Sequence, residues 1–186
     1  MANSKMNIRK TTIAMTQTAV CAALLCVLSP LAIPTPISIS ITLQVLVVVL
    51  TALILNPVQA LAAQVIYTLL GGFGLPVFSN YTGGFGVIVG PTGGFIIGFI
   101  FASFLVSLLK GKVEGKFAVV RYILVSVFVA IPVIYLFGII GFMIATGKNF
   151  GAAFQAVAAT FIAVDIAKCV IASLFAVPIH LALKKL

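Results

Sequence analysis

Charge is nearly missing from this chain. Of its 186 residues, two are acidic, eleven are Lys or Arg and one is His, so 7% are charged while 63% are hydrophobic. A soluble domain carries roughly 25% charged residues. With a mean hydropathy of +1.35, the chain cannot build a water-facing surface, and lipid must be its solvent. Between Lys10 and Lys110 there is no Asp, Glu, Lys, Arg or His at all, a stretch about five times the ~20 residues that one helix needs to cross a bilayer. Cysteine is scarce too: Cys21, Cys26 and Cys169 lie inside apolar runs, which excludes a disulfide framework or a paired zinc motif and suits small buried side chains. No phosphate loop of the form G-x-x-x-x-G-K-[ST] occurs, nor any H-E-x-x-H. The lone His180 sits near the end of the last apolar run, and Glu114 lies far along the chain from Asp165. No nucleophile, base and orienting acid can converge, so the chain reads as no enzyme, with no metal and no cofactor.

The net charge of +9 would suit nucleic acid, but no basic patch with interleaved aromatics exists. Lys5, Arg9, Lys10, then Lys110, Lys112, Lys116 and Arg121, then Lys184 and Lys185 flank apolar runs, as the positive-inside rule requires of cytoplasmic ends. The charge-free stretch is basic at both ends, so it makes an even number of crossings. Pro30, Pro34 and Pro36 break its first run, Asn56-Pro57 is a turn and helix-start signal, and the Gly-rich segment 71–91 separates the rest. The basic start followed by an apolar run reads as a first retained helix, because Leu31-Ala-Ile-Pro34 is a poor cleavage site. The expected spans are 11–29, 42–55, 57–70, 91–109, 117–146 and 150–183. Pro132 falls inside the fifth and a bend near Pro178 is expected in the sixth. The second and third are short, which implies tilt, thinning or protein cover. The expected fold is an all-α membrane protein of six transmembrane helices in one bundle. Residues 1–186 form a single integral membrane domain in a cell membrane, with both termini cytoplasmic and a long Gly-rich outer loop between helices 3 and 4.

Asp165 and Lys168 are the acid and base placed well inside a span, where a charge costs about 2.5–3.5 kcal/mol even on a lenient scale. At i, i+3 they share a helix face and offset one another. They are either an ion pair that orients the last helix or a polar ligand site offering an acceptor and a donor together. The Gly-rich segment cannot expose its backbone to lipid and must be covered or line a cavity. Phe73, Phe78, Tyr81 and Phe85 could wall such a cavity, and Asn80 with free backbone amides could hold a carboxylate. Gly90, Gly94 and Gly98 form a small-xxx-small row that lets another helix approach closely, and Ala19 and Ala23 make a similar pair.

Five short runs carry a family resemblance. Gly74-Leu-Pro-Val-Phe78, then Gly83-Gly84 and Gly90-Pro-Thr-Gly-Gly94, together with Ile41-Thr-Leu-Gln44 and Asp165-Ile-Ala-Lys168, resemble the BioY family. Members are biotin-binding membrane subunits (S components) of energy-coupling-factor (ECF) vitamin transporters. The resemblance covers nearly the whole chain in order. It implies six helices, a cytoplasmic N-terminus and capture of biotin near the outer face. It also implies partners: a transmembrane coupling protein and two ATPase subunits, with Ala19 and Ala23 as the docking face. Gln44, Gly93 and Gly94 join Asp165, Lys168, Asn80, Tyr81 and Phe78 as expected substrate-binding residues. Phe95 departs from the family's usual Tyr, and Ile37-Ser-Ile-Ser-Ile41 lacks the usual Pro before Thr42. Three alternatives remain: an S component for riboflavin or thiamine, an autonomous ion-coupled carrier or channel with Asp165 and Lys168 as a proton relay, or a structural membrane scaffold with no ligand.

Overall fold

The computed structural model describes residues 2–33, 40–115 and 117–183, with side chains from Ile8 onward. Lys116, Lys184, Lys185 and residues 34–39 lie outside the described residues, as does the side chain of Lys5; of the segment that lacks the usual proline, only Ser40 and Ile41 are described. Nearly every ordered element is helical, because in lipid the backbone must satisfy its own hydrogen bonds. Helix α1 spans Ala2–Leu28, followed by a two-residue hairpin of β1 (Ala32–Ile33) and β2 (Ile41–Thr42), paired antiparallel. Then come α2 (Gln44–Ile54), α3 (Pro57–Gly72), α4 (Phe85–Ile88) and α5 (Gly93–Leu109). The rest is α6 (Ala118–Val125), α7 (Ile131–Thr146), α8 (Phe150–Phe154) and α9 (Thr160–Leu183). Among the described residues, three helical stretches are long and apolar enough to cross a membrane: Ile8–Leu28, Ala118–Thr146 and Phe150–Leu183.

Two of those stretches contain one wide, π-helical turn. Ser126–Ala130 joins α6 to α7, just ahead of Pro132, whose ring would clash with the carbonyl four residues back in a regular helix. Gln155–Ala159 joins α8 to α9, and there the Thr160 hydroxyl donates to the Gln155 carbonyl at 3.0 Å. The irregular turn of the last long helix is therefore at its start, and α9 continues through Pro178 to Leu183.

Helix α2 is the centre of the bundle. Eight of its eleven residues are buried, with Val47, Val48, Val49, Ala52 and Leu53 fully so, and a helix apolar on all sides belongs inside a protein. It packs against α9 and α5, while α5 also packs on α3 and α7. Neighbouring helices thus cover most of this short helix. Asn56 caps α3 in a reciprocal box, accepting from Gln59 N at 2.9 Å while its own amide donates to Gln59 Oε1 at 3.2 Å. Gln59 Nε2 then donates to Ala14 O at 2.8 Å and ties α3 to α1.

The C-terminal carbonyls of α2 end inside the bundle. Lys110 Nζ donates to Ala52 O at 3.1 Å, to Leu53 O at 2.8 Å and to Leu55 O. Ser107 Oγ also donates to Leu55 O, at 2.6 Å. Burial pushes the Lys110 ammonium down to about 8, while the three carbonyls and the negative end of the helix act the other way. Lys110→Met should strip these carbonyls of their donor and cost about 2–3 kcal/mol, read as a lower midpoint of thermal unfolding in detergent.

Candidate ligand-binding site

A cavity opens between α2, α5, α9 and the 71–91 segment, with about 590 Å³ of empty space when its open mouth is included. Its floor carries Asp165 and Lys168, only 5% and 8% exposed. Lys168 Nζ donates to Asp165 Oδ1 at 2.7 Å, and Tyr135 on α7 donates its hydroxyl to Oδ2 at 2.6 Å. Gln44, the first residue of α2, also lines the cavity; its Nε2 donates to the buried Tyr67 Oη at 2.6 Å. The walls are Val45, Phe95, Ile96, Phe99 and Phe161, and the polar positions nearer the mouth are Ser40, Ser79 and Thr92.

The 71–91 segment folds back on itself over this cavity. Gly84 N donates to Gly71 O at 2.7 Å, and Phe78 N donates to Thr82 O at 2.9 Å. Between them Asn80 and Tyr81 have φ of 56° and 57°, a left-handed pair that Asn tolerates and a bulky residue does not favour. This turn drives the Phe78 ring inward. It lies edge-on to Tyr67, with centroids 5.6 Å apart, and directly over Gly71, where a Cβ would sit 2.2 Å from the ring. Asn80 Nδ2 donates to Ser40 Oγ at 2.7 Å, and its backbone amide donates to Pro30 O at 3.1 Å. The segment is thereby pinned to both sides of the β1–β2 hairpin.

Of the residues singled out from sequence, Gln44, Phe78, Asp165 and Lys168 line the cavity. Asn80 reaches it at one remove, through Ser40. Tyr81 is 63% exposed and lies outside the lining, as do Phe73 and Phe85 at 84% and 69%. Gly93 and Gly94 do not line it either. A Cβ on Gly93 would meet Ile88 O at 1.7 Å, and one on Gly94 would meet Phe137 O at 2.2 Å, so both serve close backbone approach. Ala19 and Ala23 are exposed on α1. Sequence reasoning passed over Ser40, Ser79, Phe99, Phe161 and Tyr135. Phe161 was within reach, since it lies four residues before Asp165 on the same helical face; Tyr135 carries no local signal.

Residues 2–185 match the BioY family over nearly the full chain. The chain belongs to the BioY family. It is similar to a probable biotin transporter BioY of Pyrococcus horikoshii, 39% identical over 139 residues, covering 74% of this chain and 78% of the relative. A biotin transporter BioY of Rhizobium etli is 34% identical over 143 residues, covering 74% and 76%. The fold is similar to the crystal structure of the S-component for biotin from an ECF-type ABC transporter. The TM-score is 0.84 at 20% identity, over 91% of this chain and 92% of that one. With its three long apolar helices, this BioY-family chain is a multi-pass membrane protein.

Proposed function

We propose that this BioY-family chain is a biotin-capturing S component of an ECF transporter. It would cross the membrane six times with both termini in the cytoplasm, and transport would be powered by a coupling protein and two ATPase subunits docked on the Ala19 and Ala23 face of α1. The observation that carries the reading is the chemical gradient along the cavity. A buried floor presents a carboxylate with lone pairs to spare and an ammonium with two further protons. Aromatic and aliphatic walls follow, with the less buried hydroxyls of Ser40, Ser79 and Thr92 and, behind Ser40, the Asn80 amide. Biotin has the same order: a cyclic urea with two N–H donors and one oxygen acceptor, an apolar bicycle and a carboxylate tail. Its urea would meet Asp165 and Lys168, because a carboxylate is the costlier group to bury. The tail would then face Ser40, Ser79 and Asn80 at the mouth.

Equilibrium binding of labelled biotin to the purified chain in detergent tests this directly. Saturable tight binding, displaced by biotin and not by riboflavin or thiamine, is expected. Displacement by either competitor would reassign the substrate, and no binding by folded protein would return the channel and carrier readings.

A further inference from the structure

Tyr135 stands behind the floor of the cavity rather than in it. It is buried and absent from the lining, yet it donates to Asp165 Oδ2 at 2.6 Å while Lys168 holds Oδ1 at 2.7 Å. We propose that Tyr135 is a positioning residue for ligand recognition, fixing the plane of the Asp165 carboxylate so that one acceptor position on each oxygen stays open to paired N–H donors. The inference rests on the biotin-binding reading given above.

The reasoning is one of acceptor sites. An ionised carboxylate has about four lone-pair positions. The phenol takes one on Oδ2 and the ammonium takes one on Oδ1, which leaves about two, the number of donors on a cyclic urea. Without the phenol, the carboxylate is free to turn about its last bond. In the low dielectric of the bundle it would close on the Lys168 ammonium with both oxygens, and the pair would satisfy itself instead of a ligand. Tyr135 is itself held. The Phe95 ring, which lines the cavity, lies edge-on to it with centroids 6.3 Å apart and planes at 76°. Gly138, three residues further along α7, leaves the space that ring occupies, since a Cβ there would lie 2.7 Å from Phe95. The cavity wall, the phenol and the carboxylate therefore form one packed series, from α5 through α7 to α9.

The test is a double-mutant cycle on biotin affinity with Tyr135→Phe and Asp165→Asn, run alongside thermal unfolding of each variant. Tyr135→Phe keeps the ring and its packing, and a loss of about 10-fold in affinity is expected. In the Asp165→Asn background the same change should cost less than about 2-fold, because a positioning residue has nothing left to position. A second readout needs no double mutant: for a biotin analogue methylated on one urea nitrogen, the Tyr135→Phe penalty should shrink. Equal penalties in both backgrounds and for both ligands would overturn the inference and leave Tyr135 as a packing residue. If Asp165→Asn alone bound biotin as tightly as the parent, it is the underlying assignment of the floor that would fall.

Discussion

Asp165→Asn should weaken biotin binding at least 100-fold while the protein stays folded. The carboxylate would lose its charge but keep its shape, so the α9 backbone has no reason to move. What disappears is an acceptor for two N–H groups, and charge-assisted hydrogen bonds are worth about 1.5–3 kcal/mol each. Two of them amount to a factor of about 100 or more in Kd. The Asn side chain also turns an N–H towards either Tyr135 or the ligand, so one former partner faces a donor. The same variant separates the two roles open to the pair. If biotin affinity survives and only the unfolding temperature falls, Asp165 and Lys168 serve to orient α9. If affinity is lost at little cost in stability, the pair is there for the ligand.

Gly94→Ala should lower stability by forcing α5 and α7 apart. A methyl group at this position would lie 2.2 Å from Phe137 O and 2.9 Å from Gly141 Cα, and a methyl on Gly141 would in turn meet Gly94 Cα at 2.6 Å. These are backbone atoms on both sides, so no side chain can swing away, and α5 and α7 must separate. Overpacking of this kind costs about 1–3 kcal/mol or more. Lipid supplies no hydrophobic force to hold the helices together once their close packing is lost. Gly98 faces the same helix with more room, 3.2 Å to Ile134 Cα and to Phe137 Cβ, so Gly98→Ala should be distinctly milder. Thermal unfolding of both variants without ligand checks the order. Biotin affinity should also fall in Gly94→Ala, since Phe95 and Tyr135 sit on the two helices being pushed apart.

The parts of this protein that were legible in its sequence are those whose cause is local. A charge-free stretch beside basic ends speaks of lipid whatever surrounds it. Asn56-Pro57-Val-Gln59 contains its own capping box. Asp165 and Lys168 share a helix face by spacing alone. The 71–91 segment was harder. Phe73, Phe78 and Phe85 look alike in a Gly-rich run, and only Phe78 is turned inward, by a left-handed Asn80–Tyr81 turn anchored to Ser40 and Pro30 across the hairpin. Gly94 belongs to a motif that could mean a ligand or a neighbour, and only the position of Phe137 and Gly141 on another helix distinguishes the two. Tyr135 was invisible for the same reason. An aromatic residue in a membrane helix is unremarkable until its hydroxyl is seen against a carboxylate from another helix, α9.

The knot of donors on the last carbonyls of α2 bears on traffic as well as on stability. Gln44 opens that helix at the cavity, and Lys110, Ser107 and the His180 ring, 3.2 Å from Leu53 O, crowd its other end, about 15 Å away at 1.5 Å per residue. The chamber thus has a doorway on one side and a cork on the other. Of α2 only Gln44 and Val45 line the cavity, so the rest of that helix and its donor-capped end stand between the cavity and the Lys110 side of the bundle.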